Sequence, residues 1–193
     1  ENITDVKNAL REINEQAHRA GDVIHRTRSF TKSADGIRTV TRIHAAAAPI
    51  RSLAMLDTKA NNIQLDWEIP ADLPPIVVDS VQIQQIILNL VRNAVDAMES
   101  TEPDKRQIKV IAKLTAPHEI RVEVSDRGPG VSDTCAKDIF NAFYTTKANG
   151  MGMGLAICRT IARAHGGQLG FRNNETHQGG VTFFFTLPTQ VNS

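Results

Sequence analysis

The sequence has few cysteines and almost no net charge, and each absence removes a class of protein. Its 193 residues include two cysteines, Cys135 and Cys158, which lack metal-ligand spacing and are too few for a disulfide framework. We therefore expect reduced thiols and a cytoplasmic location, which is compatible with a membrane-anchored parent protein. The formal net charge of +1 gives no electrostatic reason to expect nucleic acid or an anionic membrane as the main partner.

Long apolar runs and several familiar motifs are also missing. No stretch approaches the roughly 18 apolar residues that span a bilayer, and no signal peptide opens the chain. The sequence contains no GxxxxGK[ST], HRD or DFG motif. It does contain 41% apolar residues, enough for one medium domain with a real core. Because a helical pattern is already under way at Glu1, we expect a piece of a longer protein.

Residues 1–32 carry a narrow heptad seam. Apolar or small side chains recur at spacings of three and four, at Ile3, Val6, Leu10, Ile13, Ala17, Ala20, Ile24 and Thr27. Such a helix needs a partner for its seam, either its own domain or another helix of a bundle, and the regular seam favours intermolecular pairing. The helix-breaking stretch "KSADG" at 32–36 divides the chain into predicted domains 1–36 and 37–193.

The second predicted domain alternates helices with strands. We expect helices between Thr41 and Asn61, from Asp79 or Ser80 to about Glu99, near Ala136 to Phe143, and from Gly154 to His165. Pro49 predicts that the first of these helices either starts near it or is kinked. Strands are expected at 63–69, 107–114, 119–125, 167–172 and 180–188. The pattern is that of an α+β two-layer sandwich with a mixed, mainly antiparallel sheet.

The helix containing "LNLVRNAVDAM" (88–98) has an unusual polar ridge. Gln85, Asn89 and Asn93 recur at every fourth residue, so they drift by only about 40° per step and span about 12 Å. Asp96 sits beside the end of this ridge. Amide oxygens are hard, neutral ligands that suit Mg²⁺ together with substrate phosphates. The alternative is a polar stripe that is hydrogen-bonded to a neighbouring loop.

Asp126 directly follows a predicted strand, in "DRGPG" (126–130). A carboxylate at a strand end can accept a hydrogen bond from an exocyclic amine, and Gly128 and Gly130 would let a flat ring approach the backbone. The alternative is an ordinary Asp-Gly turn.

The stretch "TTKANGMGMGL" (145–155) alternates glycine with methionine and leads into a helix. Exposed N–H groups at Gly150, Gly152 and Gly154, next to a helix N-terminus, would form a phosphate cradle. Lys147 would supply a point charge for the terminal phosphate. The alternative is a flexible linker, which would more naturally use serine and would not end in a helix.

In this order the motifs resemble the catalytic ATP-binding domain of bacterial sensor histidine kinases, in the Bergerat-fold or GHKL superfamily with gyrase, heat-shock-protein-90 and mismatch-repair ATPases. "QIILNLVRNAVDAM" resembles the N box, "DRGPG" the G1 box, "FNAFYTTK" the F box, "GMGMGL" the G2 box and "GGVTFFFTLP" the closing strand. The resemblance covers about residues 38–188. Residues 1–36 are similar to the second helix of the dimerisation and histidine-phosphotransfer hairpin. The short segment between Lys147 and Gly150 resembles that of the short-lid subgroup, which includes the FixL-type kinases.

The resemblance implies a role for each candidate residue. Asn93 would ligand Mg²⁺, Asn89 would contact the phosphates, and Gln85 would lie next to the transferring group. Asp126 would bind the adenine amine, with Gly130 beneath the ring and Thr182 supporting it through a water. The remaining nucleotide contacts would come from Gly128, Asp96 and, on the phosphate side, from Lys147, Gly150, Gly152, Gly154 and Leu155.

Two features of the resemblance bear on the reaction. The hydrolytic relatives place a glutamate at position 89, and an amide cannot serve as a general base, so Asn89 favours a kinase over an ATPase. The F box usually has a proline where Ala142 stands, a change that we expect to be tolerated. The alternatives are a Bergerat-fold ATPase or serine kinase, and a catalytically inactive nucleotide-binding scaffold.

None of the six histidines stands in the sequence context of a phosphoacceptor, which in this family precedes an acidic residue and lies on the first hairpin helix. We therefore expect the acceptor upstream of Glu1, and we expect this chain not to phosphorylate itself. His165 is instead predicted to interact with the last carbonyls of its helix. The implied partners are a response-regulator receiver domain and a second copy, paired through the N-terminal helix, with no direct membrane contact.

Overall fold

The structure is a computed structural model that describes residues 37–147, 151–175 and 179–190. The predicted helix at 1–32 and its heptad seam lie outside the described residues, as do Gly150 and His177. Along the described chain the elements are β1 Thr39–Thr41, α1 Ile43–Ala60, β2 Gln64–Glu68, β3 Ile76–Val78, α2 Ser80–Ala97, a 3₁₀ turn Pro103–Lys105, β4 Gln107–Ala116, β5 Glu119–Ser125, α3 Asp133–Ala136, α4 Gly154–Ala164, β6 Leu169–Asn173 and β7 Val181–Pro188.

Five strands form the main sheet, in the order β2-β4-β5-β7-β6. Only β2 and β4 pair in parallel, and the chain crosses between them through α2, as a parallel connection requires. The other three pairings are antiparallel. β1 and β3 form a separate antiparallel pair. The α+β fold with a mixed, mainly antiparallel sheet is therefore confirmed.

The core lies between one face of the sheet and the helices. On β5, Ile120, Val122 and Val124 are buried in this core, while Arg121, Glu123 and Ser125 alternate onto the opposite face. α2 contributes six buried residues at helical spacing: Ile83, Ile86, Ile87, Leu90, Val91 and Ala94. The polar ridge therefore borders a helix stripe that is packed against the sheet.

The opposite face of the sheet holds a buried charge, Glu123. Its carboxylate accepts two hydrogen bonds from Arg172, at 3.1 and 3.2 Å, and pairs with Lys113 at 2.9 Å. Burial alone would raise the pKa of Glu123, but the hydrogen bonds and charges of Arg172 and Lys113 outweigh it and lower the pKa. This carboxylate is therefore paired within the sheet.

The structure differs from the predictions at several short elements, and it excludes a start of the first helix near Pro49. α1 begins at Ile43 and continues through Pro49, whose ring leaves only the carbonyl of Ala45 without its helical partner. Both Ala45 and Pro49 are exposed, so water can satisfy that carbonyl. The helix expected near 136–143 is instead the single turn α3, Asp133–Ala136, followed by turns. The three-residue strands β1 and β3 were not predicted.

Two helices are joined end to end by Asp79 and His165. The carboxylate of Asp79 accepts from the N–H groups of Val81 and Gln82, at 2.9 and 3.3 Å, and so caps α2 as predicted. The N–H of Asp79 donates to Nε2 of His165 at 3.1 Å. Since a backbone N–H can only donate, the imidazole is neutral and its Nδ1–H donates to the Ile161 carbonyl at 2.9 Å, which confirms the prediction for His165. Burial lowers the pKa of His165 and so favours this neutral form.

Candidate functional site

The polar ridge of α2 lies at the border between core and solvent. Gln85, Asn89 and Asn93 are half-buried, while Asp96 is exposed. On the same helix, the carbonyl of Ile86 accepts a hydrogen bond from the thiol of Cys158 on α4 at 3.9 Å. Burial raises the pKa of Cys158 to about 12, so this thiol stays protonated, as expected for a buried small side chain.

Lys147 meets the end of the ridge. Its Nζ lies 2.5 Å from Oδ2 of Asp96 and 3.4 Å from Oδ1 of Asn93, although the lysine is more than 50 residues away along the chain. All three side chains reach solvent, and those of Lys147 and Asp96 are 42% and 51% exposed. The structure therefore brings together three predicted site residues in a hydrated cluster that a ligand can rearrange.

The chemistry of this cluster fits Mg²⁺. It offers one neutral amide oxygen and one carboxylate, and Mg²⁺ usually binds through one or two protein groups plus waters and phosphates. Within residues 37–147, 151–175 and 179–190, no group of three or more His, Cys, Asp and Glu side chains could hold a metal. Waters and ligand oxygens would supply the rest of the coordination of a cation bound here.

Asp126 forms the second part of the site. Its side chain is buried, at 3% exposure, and Oδ1 accepts from the N–H groups of Gly128 and Val181 at 2.9 and 3.3 Å. Among the described residues both bonds to the carboxylate end on Oδ1, which leaves Oδ2 as an acceptor for a ligand amine. Burial raises the pKa of Asp126, and the two N–H groups act in the opposite direction.

Residues 126–131, from Asp126 to Val131, form a loop that is here named the base loop. A Cβ on Gly128 would lie 3.0 Å from the carbonyl oxygen of Ala97, so the base loop touches the last residue of α2. Gly130 has a φ of +79°, which favours glycine. Because Ala97 adjoins Asp96, the base loop and the Lys147 cluster meet at the same end of α2.

The glycine-rich stretch that ends at Gly154 leads into α4. Gly152 has a φ of +64°, and a Cβ there would lie 2.5 Å from the carbonyl carbon of Phe143, so this position requires glycine. A Cβ on Gly154 would have nothing within 4 Å, so there is room beside the first residue of α4, and half-buried Leu155 follows it. Open space at a helix N-terminus suits a phosphate.

Thr182 is not brought to the Asp126 carboxylate. Val181 and Phe183 belong to the core, so Thr182 alternates onto the opposite face of the sheet. There its hydroxyl donates to Oδ1 of Asn174 at 2.7 Å and lies 2.8 Å from Oγ of Ser125. The N–H of Val181, rather than the hydroxyl of Thr182, reaches Asp126.

Two residues of this site were missed from the sequence. Asn173 and Asn174, at the end of β6, hydrogen-bond the backbone of the base loop at Val131 and Asp126. Asparagine is common at strand ends for its local hydrogen bonding, so "RNNET" carried no distinguishing signal.

A buried carboxylate acceptor beside a loop with two glycines, together with the Lys147 cluster at the end of α2, suits a nucleotide with its base at one end and its phosphates at the other. The chain belongs to the histidine kinase-, DNA gyrase B- and HSP90-like ATPase family, whose model matches residues 78–191 and thus every predicted site residue.

Curated relatives identify the branch of this family. The chain is 37% identical over 187 residues to the sensor protein FixL of Bradyrhizobium diazoefficiens, which covers 97% of this chain and 36% of FixL. It is 34% identical to the C4-dicarboxylate transport sensor protein DctS of Rhodobacter capsulatus, covering 97% of this chain and 28% of DctS. The chain thus spans about a third of these relatives, and its resemblance to sensor histidine kinases is confirmed.

Solved structures agree. The catalytic domain of histidine kinase ThkA matches with a TM-score of 0.68 at 29% identity, covering 79% of this chain and 95% of that domain. Full-length ShkA in complex with AMPPNP matches with a TM-score of 0.71 at 26% identity, covering 89% of this chain and 35% of ShkA. This chain therefore contains a sensor histidine kinase ATPase catalytic domain. No helix of its described residues is long and apolar enough to cross a membrane.

Proposed function

We propose that this chain binds Mg-ATP and donates the γ-phosphate to a histidine that is not one of its own six. From that histidine the phosphate passes to an aspartate on a response-regulator receiver domain, in a protein that dimerises through residues 1–36 and acts in the cytoplasm. The observation that carries this proposal is the meeting of the base loop and the Lys147 cluster at one end of α2. A nucleotide has the same two-part chemistry, with an aromatic base at one end and phosphates at the other.

On the base side, Asp126 receives the exocyclic amine of adenine on Oδ2. Its orientation is supported by two backbone N–H groups on Oδ1. Gly128 and Gly130 leave room for the ring to approach the backbone. Thr182 acts only from behind the sheet, through Ser125 and Asn174.

On the phosphate side, Asn93 is the metal ligand and Asp96 lies beside it. Bound Mg²⁺ would neutralise phosphate charge, which is the main requirement of phosphoryl transfer. Lys147 leaves Asp96 to bind the γ-phosphate as a point charge. The N-terminus of α4 and the glycine run supply N–H groups to the phosphates, a role we assign to Gly150, Gly152, Gly154 and Leu155.

The remaining ridge residues favour transfer over hydrolysis. Gln85 lies next to the transferring group and Asn89 contacts the phosphates. The Asn89 amide cannot act as a general base, and burial holds the thiol of Cys158 in the protonated form. Neither Asn89 nor Cys158 can therefore activate water, which favours a kinase over an ATPase.

Titration calorimetry with ATP and Mg²⁺, followed by measurement of phosphate release, tests the proposal. We expect binding with almost no release, and no labelling of the chain by γ-labelled ATP. Steady release would favour the ATPase alternative, and no binding would leave the inactive scaffold. Asn89→Glu is the matched comparison, since it introduces the carboxylate that hydrolytic relatives have there; we expect it to release more phosphate than the wild type.

A further inference from the structure

We propose that Asn173 and Asn174 form a clamp that sets the position of the base loop and thereby determines how well the site distinguishes a 6-amino purine from a 6-oxo purine. This inference rests on the proposed adenine-binding role of Asp126 and extends it to two positioning residues. The two asparagines are consecutive, and they hold opposite ends of the same loop.

Asn174 holds the first residue of the loop. Its Nδ2 donates to the carbonyl of Asp126 at 3.2 Å, and its Oδ1 accepts from the hydroxyl of Thr182 at 2.7 Å. Its own N–H donates to the carbonyl of Gly180 at 3.0 Å. A Cβ on Gly180 would lie 2.0 Å from the same Asp126 carbonyl, so a close backbone contact fixes this end of the loop from the other side.

Asn173 holds the last residue of the loop. Its Oδ1 accepts from the N–H of Val131 at 2.9 Å, and its Nδ2 donates to the carbonyl of Val131 at 2.7 Å. The side-chain amide thus pairs with both backbone groups of one residue, as a neighbouring strand would. A Cβ on Gly130 would lie 3.0 Å from Oδ1 of Asn173, so the glycine lets the amide come this close.

The clamp affects recognition because adenine is read by one carboxylate oxygen. Oδ2 of Asp126 must meet the amine in the plane of the ring, and hydrogen bonds weaken steeply when misaligned. A 6-oxo purine presents an acceptor to the same oxygen and gains no such bond. Loosening the loop should therefore lower the affinity for a 6-amino purine and leave that for a 6-oxo purine nearly unchanged.

Titration calorimetry with ADP and with IDP, in excess Mg²⁺, measures this discrimination directly. We expect Asn174→Ala and Asn173→Ala each to lower the ratio of ADP to IDP affinity about tenfold, the effect of one lost or misaligned hydrogen bond to a charged group. Asn174→Asp keeps an acceptor for Thr182 but sets an oxygen against the Asp126 carbonyl, so it should lower the ratio at least as much. Asn61→Ala, which changes an exposed asparagine at the end of α1, is the matched control and should leave the ratio unchanged.

Asn93→Ala is the control from the phosphate side, and it should lower the affinities for ADP and for IDP by the same factor. Thermal unfolding of every variant separates recognition from stability. Equal losses of ADP and IDP affinity in the clamp variants, or a lower melting temperature with an unchanged ratio, would overturn the clamp alone. Absence of ADP binding to the wild type would overturn the proposed function, and the clamp with it.

Discussion

The two ends of the candidate site are formed by different kinds of chemical group. On the base side the principal groups are backbone N–H groups, glycines and one carboxylate that is 3% exposed. On the phosphate side they are exposed side chains, with Lys147 paired to Asp96 at 2.5 Å in contact with water. The base side therefore holds its geometry before a ligand arrives, whereas the phosphate side holds charges that can exchange partners.

This difference follows from what each end has to do. A purine is rigid and weakly charged, so recognising it depends on geometry, which buried hydrogen bonds provide. A triphosphate changes charge during the reaction, so its site has to release and rebind ions, which screened surface pairs allow. Substitutions on the base side should change specificity, and those on the phosphate side should change affinity without changing specificity.

Asp126→Asn should have the largest effect. The backbone N–H groups of Gly128 and Val181 would orient the amide oxygen toward themselves, so the NH₂ would face the ligand and oppose the adenine amine. We expect ADP affinity to fall about 100-fold and the preference to shift toward IDP, whose 6-oxo group accepts. Calorimetry with both nucleotides measures this, with Asp133→Asn, an exposed carboxylate on α3, as control.

The same variant should not lose stability. Because burial raises the pKa of Asp126 above its ordinary value of 3.8, the wild type loses stability as the pH rises through the folded-state pKa. Asn carries no charge, so the free energy of unfolding of Asp126→Asn near pH 7 should equal or exceed that of the wild type. A markedly lower free energy of unfolding in the variant would indicate that Asp126 stabilises the fold, and would contradict a role in ligand binding alone.

The two glycines at the start of α4 provide a second comparison. Gly152→Ala meets both a positive φ and the backbone of Phe143, so it should cost about 2 kcal/mol of unfolding free energy. Gly154→Ala adds a methyl group in open space at a helix start, so it should leave the stability unchanged or raise it. The same methyl group should lower the affinity for ATP. Thermal unfolding and calorimetry on the pair test this, and equal stabilities would contradict the described turn.

Lys147→Met should act mainly on the binding of the terminal phosphate. It removes the point charge proposed for the γ-phosphate, so we expect ATP affinity to fall about tenfold, with a smaller loss for ADP. Lys137→Met, an exposed lysine after α3, is the matched control and should change neither. A reduced ADP-to-IDP preference in Lys147→Met would break the proposed separation between the two ends.

The smallest effect is expected from acid titration of His165. Its pKa is lowered from the ordinary value of 6.5, so its contribution to stability is complete above pH 6.5 and is lost as the pH falls toward the folded-state pKa. Protonation removes the acceptor for the N–H of Asp79, a loss of about 1 kcal/mol. Unfolding measured from pH 7.5 to 5 should show this slope in the wild type and in His118→Gln, but not in His165→Gln.

Elements with a strong local pattern were predicted well. α2 follows from an Asp cap and an unbroken apolar stripe, and β4 and β5 follow from strict alternation. α3 and β3 are short, and their bounds depend on the chain packed around them rather than on their own residues. Pro49 allowed either a helix start or a kink, and the helix does not start there. The cost of a proline whose unpaired carbonyl faces water is smaller than the gain from burying Ile43, Ala46 and Ala47 before it.

Candidate residues divide in the same way. Asn89, Asn93, Asp126 and the glycines could be named from the chain alone, because helical spacing and glycine positions are local properties. The two partners of Lys147 and the bonds of Asn173 and Asn174 could not. Thr182 is a further example, since a motif named the residue but only the strand register decided that its hydroxyl bonds Ser125 and Asn174.

By itself, the sequence determined which chemical groups this protein carries and which short segments hold them, because periodicity, caps and turn residues act over a few positions. Only the tertiary structure decided which groups meet. The contacts between Lys147 and Asp96, and between Asn174 and Asp126, join residues about 50 positions apart. Such contacts form only when the sheet order and the packing of α2 bring distant ends together, and no local pattern encodes that distance.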